Sequence, residues 1–178
     1  KLNVPPYVVF QEPTLEDMCT FYPITLDELK TMKGVGEGKA KRYGKEFVDV
    51  IKKYVEENDI ERPEDIRVRS KANKSKLKIS IIKAIDHKVD LDSIAESDHL
   101  SFDELLEELE AIVYSGTKLN INYYLNEIMD DDHVDDIFQY FMESETDNMH
   151  EALEELGSEY TEEEIRLVRI KFTSELAN

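Results

Sequence analysis

The sequence predicts an all-α protein with at most one small β-wing. Apolar residues recur at three- and four-residue spacing over most of the chain, as one face of a helix requires. Thr25, Ser101 and Thr161 each stand three positions before a glutamate (Glu28, Glu104 and Glu164), the capping-box signature of a helix start. Only around Gly116 do short apolar runs flank a turn in a way that suits a hairpin.

Taken in order, Pro5 and Pro6 force an extended entry. Thr14 caps a short helix over 15–20, and Cys19, beside Leu15 and Met18, reads as core filler. Pro23 ends the connection, and Thr25 opens a helix with Leu26, Leu29 and Met32 inward. Gly34-Val35-Gly36 breaks that helix. A long one follows, with Ala40, Tyr43, Phe47, Ile51 and Tyr54 on one face and Gly44, Val48 and Val55 beside it. Residues 58–75 lack a sustained apolar face and read as a linker.

Beyond it, Leu77, Ile81, Ile82 and Ile85 make one helical face, and Leu91, Ile94 and Ala95 a second. Ser101 opens a helix with Phe102, Leu105, Leu106, Leu109 and Ile112 inward. Residues 112–114 and 119–121, flanking Ser115-Gly116-Thr117-Lys118, form the possible wing, so this part has the outline of a winged helix. Val134, Ile137, Phe138 and Phe141 mark a further helix. Met149, Ala152, Leu153 and Leu156 mark another, which Gly157 ends. Ile165, Val168 and Phe172 lie inward on the last, which Thr161 caps. The expected domains are therefore 1–57, a linker at 58–75, and 76–178.

Charge separates the two ends. The chain has 178 residues and a formal charge of −19. Residues 1–58 hold 9 Lys/Arg against 10 Asp/Glu, whereas residues 76–178 hold 8 against 27. A field of that sign repels DNA unless a local patch overrides it. The apolar runs are too short to span a membrane, so no membrane partner is expected. With Cys19 the only cysteine, no internal disulfide forms, which fits a cytoplasmic location.

Catalytic constellations are missing. No Gly-x-x-x-x-Gly-Lys-Ser/Thr phosphate loop occurs, so this stretch is not an ATPase motor. Neither a glycine-flanked nucleophilic serine nor a Cys–His arrangement is present. The run Asp130-Asp131-Asp132-His133-Val134-Asp135-Asp136 lacks the glycine and distal glutamate of an EF-hand and reads as an acidic helix start. His87, His99 and His150 read as surface residues.

One patch suits nucleic acid. A hydrophobic-Gly-x-Gly turn between two helices forms a helix-hairpin-helix, in which backbone N–H groups at the start of the second helix face a phosphate. Lys33, Gly34, Val35 and Gly36 make the turn, and Lys39, Lys41, Arg42 and Lys45 add charge after it. Tyr43 shares the core face and reads as packing. Tyr7 follows Pro-Pro outside any helical face and is expected to offer its ring to a base.

Val4-Pro5-Pro6-Tyr7-Val8-Val9-Phe10, then Thr14-Leu15, Pro23, Leu29, Gly34-Val35-Gly36, Lys39 and Tyr43-Gly44 together resemble the HRDC domain. That domain is an accessory helical nucleic-acid-binding module of RecQ-family helicases, found also in ribonuclease D. The family domain has an additional N-terminal helix, so residues 1–57 read as a truncated HRDC bundle and the chain as a fragment. The resemblance implies weak single-strand binding with Tyr7 as the exposed aromatic; the basic residues rest on local physics. Ile94-Ala95, Leu105-Leu106-Glu107-Glu108-Leu109-Glu110, Tyr114-Ser115-Gly116-Thr117-Lys118 and Glu163-Glu164-Ile165-Arg166-Leu167-Val168-Arg169 are similar to the C-terminal helix-turn-helix extension of Bacteroides-like RecQ helicases. The two in this order favour RecQ over ribonuclease D.

The resemblance implies a non-catalytic accessory module of a 3′-to-5′ ATP-dependent DNA helicase of repair and recombination. Its expected partners are single-stranded or branched DNA and the helicase core in cis. No cofactor is expected of this stretch; ATP and magnesium are expected of the parent motor. The helix over 102–112 offers Asp103, Glu104, Glu107, Glu108 and Glu110 where a recognition helix needs cations, with Lys118 the only cation nearby. The alternative is accordingly an acidic protein-interaction module docking on the helicase core or a basic partner.

Overall fold

The computed structural model describes residues 4–62 and 74–177. Among them every regular element is helical, as the periodicity predicts, and no strand occurs. The expected linker lies mostly outside the described residues.

The first four helices are α1 (Pro6–Val9), α2 (Glu12–Phe21), α3 (Leu26–Leu29) and α4 (Glu37–Glu57). Helix α2 starts earlier than Thr14 because Pro13 suits a first turn, where its missing N–H goes unused. Thr14 is then free to sit buried and donate Oγ1 to the Lys33 carbonyl at 2.7 Å. Thr25 caps α3, but the helix stops after one turn. Leu29 and Met32 face inward while Leu26, expected there too, is exposed. Cys19 also lies on the surface of α2, not in the core. Phe10, Met18, Leu29, Met32, Val35, Ala40, Tyr43 and Val48 form the front core.

The remaining helices are α5 (Lys74–Asp86), α6 (Leu91–Ser97), α7 (Phe102–Tyr114), α8 (Asn122–Ile128), α9 (Asp131–Glu143), α10 (Met149–Leu156) and α11 (Glu162–Ala177). Ser101 and Glu104 form the full reciprocal capping box at the start of α7. Asp130 is the N-cap of α9, with Asp131 and Asp132 in its first turn. Helix α11 is buried on several sides, at Ile165, Leu167, Val168, Ile170 and Phe172, which marks it as the central helix of this half. It packs against α7, α8, α9 and α10, and against α1 from the front.

The expected wing is not formed. Residues 112–114 belong to α7, and the chain from Ser115 to Ile121 crosses irregularly to α8. Ser174 on α11 explains why. Its hydroxyl donates to the Leu119 carbonyl at 2.6 Å and accepts from the Leu119 N–H at 2.8 Å, so the backbone groups a hairpin partner would take are bonded to a side chain.

Candidate nucleic-acid interface

The hairpin turn is built by two anchors. Gly34 takes φ +74, a left-handed conformation that strains other residues. The Lys33 N–H donates to the Asp17 carboxylate at 2.8 Å, and the Val35 N–H to Met32 at 3.2 Å. Thus part of the donor set that faces phosphate in such a turn is already bonded, and one partner is an anion. Val35 itself is buried in the front core.

The next residues meet the back half of the chain. A Cβ placed on Gly36 would fall 2.1 Å from the Ser115 carbonyl oxygen, and one on Gly38 2.2 Å from that of Gly116. Gly116 in turn sits at φ +88, with the Lys39 N–H group's nitrogen 2.4 Å from where its Cβ would be. Backbone therefore packs on backbone with no room for any side chain larger than hydrogen. At the start of α4, Gly36 and Lys39 are thus packed against the segment that follows α7, while Glu37 and one side of Gly38 remain exposed.

Lys39 is the least exposed of the expected cations, at 1%. Its Nζ donates to the Val8 carbonyl at 2.8 Å and lies 5.7 Å from the centre of the Tyr114 ring. Around it, the Tyr114 hydroxyl donates to Asp147 Oδ2 at 2.8 Å, and Gln11 Nε2 donates to the same oxygen at 2.6 Å. Lys78 on α5 donates to Ser115 Oγ at 2.6 Å. This polar seam, unforeseen from the sequence, joins the two halves.

Tyr7 corrects a second expectation. It is 9% exposed, its hydroxyl donates to the Phe141 carbonyl at 2.6 Å, and its ring centre lies 6.5 Å from that of Phe172. The extended Pro5 entry sets α1 against α11, so the ring that was expected to stack on a base packs into the back core with Val8. By contrast Lys33, Lys41, Arg42 and Lys45 are exposed. Lys41 pairs with Glu37 at 2.7 Å across one turn, and Arg42 lies over the Tyr43 ring. Exposed pairs of this kind contribute little and are readily exchanged. The structure thus splits the nine expected residues into an outward cationic set and an inward set, Tyr7, Val35 and Lys39, with Gly34 and Gly36 half-buried between them.

Burial pushes the Lys39 ammonium down to about 8, against the pull of Asp147 in the other direction. In the unfolded chain its pKa is ordinary, so between about 8 and 10 the unfolded state binds the extra proton and stability rises with pH. Tyr7 and Tyr114 work oppositely: burial raises both, so unfolded tyrosines ionise first and stability falls above about pH 10. The stability difference between wild type and Lys39→Met should therefore shift in favour of wild type by roughly 1–2 kcal/mol between pH 7.5 and 9.5. Urea unfolding at several pH values measures it; a difference independent of pH would contradict a buried Lys39 charge.

Of the seam around Lys39, Tyr114, Gln11, Asp147 and the 115–116 backbone were not legible as a site. The one signal was the pairing of Gly36-Glu37-Gly38 with a lone Gly116 in a chain that has only six glycines.

Residues 1–51 match the HRDC domain family, and residues 75–125 match the RecQ-1-like helix-turn-helix domain family. The chain is 45% identical over 57 residues to the ATP-dependent DNA helicase RecQ of Bacillus subtilis (strain 168), which covers 32% of this chain and 10% of that protein. It is 37% identical over 54 residues to the RecQ of Haemophilus influenzae, covering 30% and 9%. A third RecQ, of Pasteurella multocida, is 35% identical over 54 residues, covering 30% and 8%. The matches thus span about a tenth of the curated relatives' length.

Proposed function

We propose that this chain, which carries the C-terminal HRDC and helix-turn-helix region of a RecQ-family helicase, serves an ATP-dependent 3′-to-5′ DNA motor as a non-catalytic accessory module. In this reading it places single-stranded or branched DNA for that motor during repair or recombination. ATP and magnesium belong to the motor in cis, and the setting is cytoplasmic. Among the described residues no helix is long and apolar enough to cross a membrane.

The observation that carries the reading is the outward cationic face of α4. Lys41, Arg42 and Lys45 stand exposed on one segment of an HRDC-like helix whose half of the chain is near neutral, while the other half carries nearly all the negative charge. Contact there is weak and electrostatic: ammonium and guanidinium groups displace counterions from a phosphate backbone. Affinity for an oligo(dT) strand should then fall steeply with salt. Reversing all three charges (Lys41→Glu, Arg42→Glu, Lys45→Glu) should abolish detectable binding and flatten the salt slope by about 0.7 per lost contact. Fluorescence anisotropy across a salt series reads both, and binding that ignores salt or survives the triple reversal overturns the mechanism.

A second reading draws on the acidic half. Glu107, Asp135, Glu154, Glu155, Glu162 and Glu163 are exposed on it, a field suited to a basic protein surface such as part of the helicase core. Binding to the motor that survives the α4 reversal, with no oligonucleotide binding in either form, favours that reading.

A further inference from the structure

The end of α7 sits where a phosphate would sit, and it sits there by shape. Gly36, Gly38 and Gly116 bring the two backbones together, and the carbonyl oxygens of Ser115 and Gly116 take the edge of α4 that a helix-hairpin-helix turns toward a strand. Lys39, a natural phosphate partner on that edge, is folded inward onto a neutral carbonyl and an aromatic ring. The covering unit is also the strongly acidic one.

We propose that the helix-turn-helix unit is an intramolecular cap on the hairpin's phosphate-facing edge, and that DNA and the cap compete for Gly36, Gly38 and Lys39. The proposal rests on the DNA-contact reading above and adds the regulation of that contact. Docked, the chain offers a strand Lys33 and the outer α4 cations. Undocked, it adds the start of α4 and the Lys39 ammonium.

The part of the cap over the start of α4 can open while α1 stays seated on α11. The contact between the units has two parts: α1 stays seated in the back core through Tyr7 and Val8, whereas the seam around Lys39 is polar, with one carboxylate, Asp147, serving Gln11 and Tyr114 together and the Lys39 charge hydrogen-bonded to a carbonyl. A phosphate offers that ammonium a full counter-charge, which the docked state does not place in its hydrogen bond. A strand bound to the edge also lies beside an acidic unit and is repelled by it, so binding the strand and docking the cap oppose one another. Apparent affinity is then the intrinsic affinity scaled by the open fraction.

The test uses the whole chain and labelled oligo(dT). Gly116→Val drives a side chain into the Lys39 backbone from the cap side, and Asp147→Ala removes the shared carboxylate without touching the hairpin. Lys39 reactivity toward an amine-acylating reagent, read by mass spectrometry with Lys41 and Lys45 as exposed references, reports docking. The expected result is that Lys39 is protected in wild type and labelled in the variants, with oligo(dT) affinity raised about fivefold or more. Labelling without a rise in affinity overturns the cap while leaving the α4 reading intact. Lys39 reactive in wild type, or protected in both variants, also overturns it. Loss of helical circular dichroism in both variants shows an integral half of the fold, not a cap, and rejects the proposal. Labelled variants and wild type that all fail to bind oligo(dT) reject the DNA reading itself and the cap with it.

Discussion

Replacing Phe172 by alanine should destabilise the chain by about 3–5 kcal/mol, the range for removing a large aromatic side chain from a packed core. Phe172 is fully buried on α11. Its ring centre lies 5.1 Å from that of Phe138 edge-on, 5.7 Å from that of Phe141 and 6.5 Å from that of Tyr7. These neighbours come from α9 and α1, and they cannot all move inward to fill the space, so most of the cavity remains. Phe172→Leu keeps more of the volume and should cost less than half as much. Urea unfolding of both variants measures the effect, and an alanine variant within about 1.5 kcal/mol of wild type would show that the site collapses freely. The consequence reaches the interface. Tyr7 is held by this ring and by its hydrogen bond to the Phe141 carbonyl, so the alanine variant should also loosen the seat of α1.

The helices were legible because their signals are local. Ser101 and Glu104 cap α7 as their spacing predicts, and Val134, Ile137 and Phe141 face inward from α9. The turn at 34–36 was legible as well, since Gly34 needs a backbone conformation that few residues adopt. What failed were statements about which surface stays free. Tyr7 has no helical neighbour pattern to mark it as core, and its burial depends on α11, which lies more than 150 residues along the chain. Lys39 reads as a surface cation by charge alone, and it is covered by residues distant in sequence, the Val8 carbonyl, the Tyr114 ring and Gly116. The wing failed for a similar reason: a single distant hydroxyl, Ser174, takes the backbone groups that a strand ladder needs. Pattern within a helix reports the helix, whereas contact between units is set by residues whose separation in sequence carries no signal.

Arg169→Ala should cost about 3 kcal/mol and, unlike most core changes, should open the seam as well. The guanidinium of Arg169 is 11% exposed and faces Glu110, itself 16% exposed, with Nη2 donating to Oε1 at 2.7 Å. Its Nη1 donates to the Asp147 carbonyl at 2.7 Å. One planar side chain thus ties α11 to α7 and to the segment that carries Asp147, a fork that lysine cannot reproduce. Removing it leaves a nearly buried carboxylate with less counter-charge and a carbonyl without its donor. Arg166 limits the loss, because its Nε also donates to Glu110 Oε1, at 3.0 Å. The reverse deletion is milder. Arg166→Ala gives up that bond, a longer one from its Nη2 to Glu110 Oε2 at 3.4 Å and a pair with Asp103, which is 82% exposed and contributes little, while Glu110 keeps Arg169. The expected order is therefore Arg169→Ala well below Arg166→Ala, which should cost about 1 kcal/mol. Chemical unfolding gives the order, and equal costs for the two would remove Arg169 from its central place. Acylation separates a local from a linked role. Asp147 holds Gln11 and Tyr114 beside Lys39, so losing its Arg169 anchor should expose Lys39 to the reagent, whereas Arg166→Ala should leave it protected.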